Sequence, residues 1–307
     1  MKTIANITIF FFSVFAFFSC DKIEKPYIII TELDTTLYDG GNFENYVPPS
    51  FDVNTNTERN ILIEDFTGHQ CIFCPAAADV AKAIEDSLPT RVFVATIHAA
   101  PTSTGTSPFQ EVKTSGNKYT TDFTTPEGKE IAAHLANVQG ASAGNPVGTV
   151  SRVTNNAGEI YLASSAWKQQ TIDLLDTDLT LNIQAKSSYF SSTRGVFIHT
   201  QMEFLEDVSG EFAVVIYAID NEIIDWQKNG GQDIPDYKHH NVHIGNVFAG
   251  ESFGRTFING AVEAGQKFEK DFSYQLPADL PKEDMHFLIF VVDKGTEEVL
   301  QVIKHEI

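Results

Sequence analysis

The chain has 307 residues, of which 42% are hydrophobic and 20% are charged, and its formal net charge at pH 7 is −20. This length is ample for two domains with separate cores. Basic residues do not cluster anywhere, and binding to nucleic acid needs a cationic face that displaces counterions, so nucleic acid is excluded as a partner. The glycines Gly140 and Gly230-Gly231 do not have the spacing of a nucleotide-binding loop, and no cofactor is expected.

The first 20 residues have the pattern of an export signal. Lys2 precedes an uncharged, mostly apolar run from Ile4 to Phe18, and Cys20 is followed by a polar segment. The alternative is an uncleaved anchor helix, but about 15 apolar residues fall short of the roughly 20 that span a bilayer. The pattern resembles a bacterial lipoprotein signal, which implies cleavage of residues 1–19 and acylation of Cys20. A lipid anchor at Cys20 would then hold the protein on a membrane through more than one chain.

Residues 20–58 are predicted to form a lipidated tether with one short strand at Tyr27-Ile28-Ile29-Ile30. Turn-forming residues punctuate the rest, among them Asp39-Gly40-Gly41 and Pro48-Pro49. We expect this segment to space the folded part of the chain from the membrane.

A βαβ unit follows. Strands are predicted at Ile61–Phe66 and Arg91–Ile97, with a helix from Pro75 to Leu88 between them. Residues 99–126 are rich in Thr, Ser, Gly and Pro, and this length suggests a functional loop or insertion. Further elements are predicted at Glu127 to Val138 (helix), Glu159 to Leu162 (strand) and Ser164 to Leu175 (helix).

After Asp178 the apolar pattern changes to a period of two. Long apolar strands are predicted at Phe212–Ile219 and Phe287–Val292, and no helical pattern is present. The predicted fold class is therefore α/β plus all-β: an α/β domain over 59–177 with an insertion at 99–126, followed by an antiparallel β-sandwich over 178–307.

The spacing Cys71-Ile72-Phe73-Cys74 is compatible with a redox pair or with half of a zinc site. Zinc would need two further ligands, and no other cysteine remains near the pair, so we expect no metal there. A buried strand before the motif, a helix after it and an export signal favour redox chemistry or a stable disulfide. The positive end of the helix would favour Cys71 as the attacking thiolate and leave Cys74 as the resolving thiol.

The run from Ile61 to Cys74 resembles the thioredoxin family over roughly residues 59–176. The resemblance implies that Asp65 is a buried carboxylate that accepts the proton of Cys74, and that Pro146 follows a cis peptide bond facing the disulfide. It also implies a protein or peptide partner at the Cys71/Pro146 face. Gln70 and Ile72-Phe73 depart from the family's Trp and Gly-Pro, so the redox potential is left open.

The full arrangement, from Cys20 through Glu64-Asp65-Phe66-Thr67-Gly68 to the β-rich half with Tyr237-Lys238-His239-His240, resembles a second family. This is the twenty-eight-kilodalton outer-membrane protein family of Bacteroidetes lipoproteins. The resemblance implies a thioredoxin-like domain, an immunoglobulin-like sandwich and an outer-membrane location facing the periplasm or the cell surface. It also implies an adhesin or receptor role without a settled reaction.

Two functions are therefore weighed. The first is a cell-surface binding protein of adhesin type in which Cys71–Cys74 is a static disulfide. The alternative is a thiol–disulfide oxidoreductase in which Cys71, Cys74, Asp65 and Pro146 form the catalytic site. The chain is thus an enzyme only in the second case.

The histidines and tryptophans offer weaker indications. His239 and His243 would share a face of a strand and could converge on one ion, but a polar strand is the simpler interpretation. His69 could stabilise a thiolate, although a solvated turn histidine is the simpler expectation. Trp167 and Trp226 are expected in the core or at a domain interface.

Overall fold

The computed structural model describes residues 33–307. The predicted signal peptide, the lipidation site at Cys20 and the predicted strand at Tyr27 to Ile30 lie outside the described residues. The described residues belong to one compact unit.

The first half contributes three adjacent strands of the larger sheet, with helices on both faces. Its elements are β1 (Ile61–Phe66), α1 (Cys74–Ser87), β2 (Val92–Ile97), α2 (Pro126–Gln139), β3 (Val147–Val150) and α3 (Ser164–Leu175). Strand β1 lies between β2, which runs parallel to it, and β3, which runs antiparallel. The predicted βαβ unit is confirmed.

The side chains of β1 alternate between two cores. Ile61 and Ile63 pack with α1 and α3, whereas Leu62 and Phe66 pack with α2. Both faces of the strand are therefore covered, which explains its unbroken apolar start.

The helix ends agree with local capping. The Thr125 hydroxyl accepts a hydrogen bond from the Gly128 backbone N–H at the start of α2, and Gly140, with a φ of 73°, ends it in the left-handed region. The predicted strand at Glu159 to Leu162 is reduced to one bridge between Gly148 and Leu162. This segment is too short to form a ladder, so the prediction of a strand is wrong here.

The second half consists of strands. They are β4 (Leu181–Phe190), β5 (Gly195–Phe204), β6 (Val208–Asn229), β7 (Gln232–Asn246), β8 (Arg255–Val262), β9 (Lys267–Gln275), β10 (Met285–Asp293) and β11 (Val299–Glu306). A three-stranded sheet of order β4-β5-β9 packs through a large apolar core against β6 and β10. The two apolar strands predicted from the sequence lie within β6 and β10.

The larger sheet crosses both halves of the chain. Within residues 33–307 its order is β11-β10-β6-β7-β2-β1-β3, with β8 paired to β6. The two halves meet where β2 and β7 pair in parallel at Thr96 and Val242. An exposed sheet edge carries unpaired backbone groups, and this pairing covers both edges. The fold is a mixed α/β arrangement of two sheets, mostly strands with few helices.

Residues 33–58 do not extend away from the body as the predicted tether would. Leu33 and Leu37 are buried with Phe190 and Phe197, and the Tyr46 hydroxyl lies 2.7 Å from His199 Nε2. Aromatic rings bury a large apolar area, which accounts for the attachment of this segment to the three-stranded sheet.

The two tryptophans differ in their surroundings. Trp167, in the first turn of α3, is fully buried in the core against β3, as expected. Trp226 is half-buried on β6, where the Lys118 ammonium lies 5.1 Å from its ring.

Candidate functional site

The two cysteines lie at the carboxyl end of β1, where the chain turns into α1. They form a disulfide with 5.4 Å between their Cα atoms. Helix α1 begins at Cys74, so Cys74 is its first residue and Cys71 precedes the helix by three residues. The helix predicted from Pro75 thus begins one residue earlier, at Cys74. Both cysteines are almost fully buried, at 1% and 2% exposure.

The turn that leads into the disulfide needs close backbone contacts. A Cβ atom on Gly68 would lie 2.7 Å from the Phe109 carbonyl oxygen, so a side chain does not fit at this position. The Gln110 side chain donates a hydrogen bond of 2.6 Å to the Thr67 carbonyl. Residues 99–126 therefore form part of the wall around the disulfide, although the sequence indicated only that they form an insertion.

Asp65 lies on the face of β1 that α1 covers. Its side chain is completely buried, and neither carboxylate oxygen has a hydrogen-bond partner among the described residues. Burial alone raises the pKa of Asp65 to about 7. A carboxyl group with this pKa can accept or donate a proton near neutral pH. The role of Asp65 as acceptor of the Cys74 proton stays a prediction.

Glu64, on the opposite face of β1, is a buried carboxylate that sequence reasoning missed. It accepts hydrogen bonds from Arg152 at 2.7 and 2.9 Å, from Thr149 at 2.7 Å and from Tyr217 at 2.8 Å. Burial would raise the pKa of Glu64, but the Arg152 guanidinium and these hydrogen bonds hold it below its usual range. Glu64 is therefore a charged structural group that joins β1 to the loop after β3 and to β6.

Pro146 follows a cis peptide bond, as predicted. The Asn145 side chain donates hydrogen bonds of 2.8 Å to the carbonyl oxygens of Phe66 and Ala99. Phe66 is the last residue of β1 and Ala99 lies two residues after the end of β2, so Asn145 and Pro146 lie at the same sheet edge as Cys71. A direct contact of Pro146 with Cys71 stays a prediction.

The distal part of the β6–β7 hairpin covers the disulfide turn. We call residues 221–240 the arm. The Lys228 N–H donates to the His69 carbonyl at 2.8 Å, and the Gly230 N–H donates to the Ile72 carbonyl at 3.0 Å. The arm was not foreseen, because the predicted strand ended at Ile219 whereas β6 continues to Asn229.

Three buried histidines surround the Phe123 ring beside the disulfide turn. The ring centroids of His69, His98 and His239 lie 5.7, 4.7 and 4.9 Å from that of Phe123. Both ring nitrogens of His98 and Nε2 of His239 lack hydrogen-bond partners within the described part of the chain. Burial lowers the pKa of His239 to about 4 and that of His98 well below its usual value. The three rings are therefore neutral and apolar in character at pH 7.

His69 is not the solvated turn histidine that was expected. It is 1% exposed, and its Nε2 atom lies 3.0 Å from the Glu111 carbonyl oxygen. Burial lowers the pKa of His69, so an imidazolium that would stabilise a thiolate is disfavoured.

His239 and His243 do not converge on one ion. His243 is bonded to Thr125 through Nδ1 and to Asn246 through Nε2, at 3.0 Å each, whereas His239 packs against Phe123 and Tyr237. Asn241, with a φ of 51°, interrupts the alternation between them. Among residues 33–307 no group of three or more His, Cys, Asp or Glu side chains is placed to hold a metal ion.

A cavity of about 480 Å³ adjoins the disulfide between α1 and β7. Cys74, Pro75 and Glu85 line it from the helix, and Tyr237 and His239 line it from the arm. Its volume lies in the range of small-molecule sites. The Glu85 carboxylate accepts hydrogen bonds from Val94 and Asn241 and so closes the end of the cavity away from the cysteines.

The model of the family described as outer membrane protein Omp28 matches residues 134–307. Because the match covers more than half of the chain, the chain belongs to the Omp28 family of outer membrane proteins. The resemblance to the twenty-eight-kilodalton outer-membrane protein family is confirmed, and so is the outer-membrane location. No curated protein matches the chain.

Two solved structures share the fold at low sequence identity. HBP35 of Porphyromonas gingivalis is 16% identical, with a TM-score of 0.59 over 83% of this chain and 77% of that chain. Protein AGR_C_4864 from Agrobacterium tumefaciens is 12% identical, with a TM-score of 0.50 over 80% of this chain and 93% of that one. A domain of the outer membrane lipoprotein Omp28 from P. gingivalis is 18% identical and matches 42% of this chain and 88% of its own, with a TM-score of 0.29.

The described helices do not include a membrane-spanning one. No helix within residues 33–307 has the length and apolar character that crossing a bilayer demands.

Proposed function

We propose that this outer membrane protein is a thiol–disulfide oxidoreductase anchored by lipid at Cys20 after removal of residues 1–19. The observation that carries the proposal concerns the Asp65 carboxyl group. It is buried on the face of β1 under the helix that begins at Cys74, and it has no hydrogen-bond partner in residues 33–307. A buried carboxylate that nothing pairs is costly, and such groups concentrate at sites that move protons.

The fold supports this proposal at a finer level. The order β1-α1-β2-α2-β3-α3 with a parallel and an antiparallel neighbour of β1 agrees with a thioredoxin-like domain over 59–177. The paired sheets over 178–307 agree with an immunoglobulin-like sandwich, although the larger sheet continues from one into the other. We propose these as the two domains, with Cys20 and the following residues as the attachment.

The proposed reaction exchanges the disulfide with a partner's thiols. A reduced Cys71 thiolate attacks a substrate disulfide, one substrate thiolate leaves, and a mixed disulfide forms. Asp65 takes the proton of Cys74, whose thiolate attacks Cys71 Sγ and releases the second substrate thiolate. The substrate disulfide is reduced to two thiols while Cys71 and Cys74 are oxidised, and the reverse sequence oxidises a dithiol.

The test separates attack from release. A Cys74→Ser variant should accumulate mixed disulfides through Cys71. Asp65→Asn should slow release of a mixed disulfide by about tenfold or more and leave the initial attack nearly unchanged, because general-base assistance contributes at the second step. Asp86→Asn, which removes an exposed carboxylate of α1 paired with Lys82, is the matched control. Equal effects of Asp65→Asn on both steps would contradict the role of Asp65.

The second candidate is a binding protein of adhesin type with a static disulfide. The near-complete burial of Cys71 and Cys74 beneath the arm favours it. The reduction potential of the disulfide distinguishes the two functions. A value below about −300 mV is typical of structural disulfides and would support the static bond, whereas a higher value would support exchange.

A further inference from the structure

The arm contacts the disulfide turn through two backbone hydrogen bonds. The carbonyl oxygens of His69 and Ile72 point at the arm and accept from the backbone N–H groups of Lys228 and Gly230, at 2.8 and 3.0 Å. These contacts involve no side-chain chemistry on the donor side. Any extended backbone in the same place could satisfy the same two carbonyls.

Gln227 adds a side-chain contact from the arm. Its Nε2 atom lies 3.0 Å from the Cys71 carbonyl oxygen and 3.4 Å from that of Gly68, and the residue is 2% exposed. The arm thus seals the first cysteine, which is 1% exposed. At this exposure the Cys71 sulfur is not open to attack by a thiol from solution.

The outer attachments of the arm are weak. The Asp233 carboxylate accepts from Lys118 at 2.8 Å and from Tyr119 at 2.5 Å, and Thr121 donates to Asp225. Asp233 is exposed, and exposed ion pairs contribute little to stability. The register of β6 against β7 also shifts between Asp225 and Gln227, which interrupts the hairpin ladder at the point where the arm reaches the disulfide.

The surface beside the covered cysteine is apolar. Phe73 and Ile72, the two residues between the cysteines, are 67% and 39% exposed. A backbone that replaced the arm on the His69 and Ile72 carbonyls would bring its own side chains next to these two.

We propose that the arm holds the place of the substrate, which is an extended apolar segment of another polypeptide that carries the reacting thiol. This proposal rests on the oxidoreductase function. The segment displaces Lys228 and Gly230 and pairs with the His69 and Ile72 carbonyls. Its thiolate then attacks Cys71 Sγ, the Cys71–Cys74 bond breaks, and Cys74 leaves as a thiolate with the electron pair. A second thiolate of the same substrate resolves the mixed disulfide, so the substrate gains a disulfide and the protein gains two thiols.

The first experiment measures how fast dithiothreitol reduces the native disulfide in the full chain. Gln227→Ala should accelerate reduction by about fivefold to tenfold, because the variant loses the side-chain hydrogen bonds from the arm to the Cys71 and Gly68 carbonyls. Asp233→Ala removes only exposed contacts and should accelerate reduction by about twofold. The matched control is Glu222→Gln, which breaks the pair with Lys238 on the arm but leaves the disulfide turn untouched. If Gln227→Ala folds like the parent and its rate equals that of the control, the arm does not cover the disulfide and the proposal fails.

The second experiment tests the substrate class by amide hydrogen exchange. A blocked peptide with one cysteine flanked by leucine and valine is supplied as its symmetric disulfide. The Cys71 thiolate of the Cys74→Ser protein attacks this disulfide, one peptide leaves as a thiolate, and the other is trapped as a mixed disulfide on Cys71. The Lys228 and Gly230 amides should exchange at least about tenfold faster than in the untrapped variant. Unchanged protection would overturn displacement of the arm. A peptide with lysine and glutamate in place of leucine and valine should be trapped more slowly, and equal rates would overturn the apolar preference.

Failure of the oxidoreductase function has a different outcome. In that case no peptide is trapped on Cys71 at all, and the disulfide has a potential typical of a structural bond. The dithiothreitol rates of the arm variants still decide whether the arm covers the disulfide.

Discussion

Glu64 and Asp65 are adjacent on β1 and equally buried, but they differ in their hydrogen-bond and charge partners. Glu64 faces α2 and β6 and has four hydrogen bonds and an arginine partner, whereas Asp65 faces α1 and has neither. Consecutive side chains of a strand point to opposite faces of the sheet. Two adjacent carboxyl groups can therefore have opposite effects: the paired Glu64 stabilises the fold, whereas ionisation of Asp65 destabilises it. The comparison indicates that the unpaired carboxyl group lies on the face of β1 that α1 covers, the helix that begins at the disulfide.

The largest effect is expected when Glu64 loses its partner. Arg152→Met should lower the free energy of unfolding by about 3–5 kcal/mol, because a buried carboxylate is left without its counter-charge. Urea denaturation at pH 7 measures this. The double variant Glu64→Gln with Arg152→Met should recover part of the loss, and the same loss in both proteins would show that the ion pair is not the cause.

Asp65→Asn should act in the opposite direction. The pKa of Asp65 is raised in the folded state to about 7 from an ordinary value of 3.8. Its contribution to stability is therefore complete below pH 3.8 and is lost as the pH rises through 7. The variant should gain about 4 kcal/mol over the parent at pH 8, compared with their difference at pH 4. Denaturation at both pH values checks the sign, and a constant difference would show that Asp65 does not titrate as described.

His239, on the arm, is a second buried group whose ionisation is expected to destabilise the fold. Burial lowers the pKa of His239 to about 4, so stability present above pH 6.5 is lost as the pH falls toward 4. His239→Phe keeps the contacts with Phe123 and Tyr237 and removes the titration. The variant should gain about 2 kcal/mol over the parent at pH 5, compared with their difference at pH 8. Parallel profiles between pH 8 and pH 5 would exclude this histidine as the source.

The smallest effect concerns one hydrogen bond of Glu64. Thr149→Val keeps the side-chain shape but removes the hydroxyl that donates to Glu64 Oε2 at 2.7 Å. The expected loss is about 1.5 kcal/mol, as for hydrogen bonds to charged groups. Thr149→Ser keeps the donor and should lose less. The thermal midpoints of the three proteins give the order.

Local patterns were sufficient to predict β1, α1, β2, α2 and α3, because each has its own apolar period and its own stop. The pair Cys71–Cys74, the cis bond before Pro146 and the burial of Asp65 followed from the motif and its resemblance. The raised pKa of Asp65 follows from this burial, because no hydrogen bond from the described residues offsets the cost of desolvating the carboxylate.

Contacts distant in sequence could not be predicted. Arg152 and Glu64 are separated by 88 positions, and nothing local marks them as partners. The arm depends on the continuation of β6 past Ile219 in half-exposed, mixed residues that lack a clear period. The attachment of residues 33–58 was missed because their turn-forming residues indicate flexibility, whereas Leu37 and Tyr46 attach the segment to the three-stranded sheet.

The attachment of residues 33–58 limits how far the body can stand from a membrane. A tether from Cys20 to residue 58 would reach roughly 130 Å when fully extended, at about 3.4 Å per residue. With the chain already fixed to the sheet from Leu33 onward, only residues 21–32 remain between the proposed anchor and the body, which allows about 40 Å. A lipid on Cys20 would therefore keep Leu33, where the body begins, within about 40 Å of the bilayer surface.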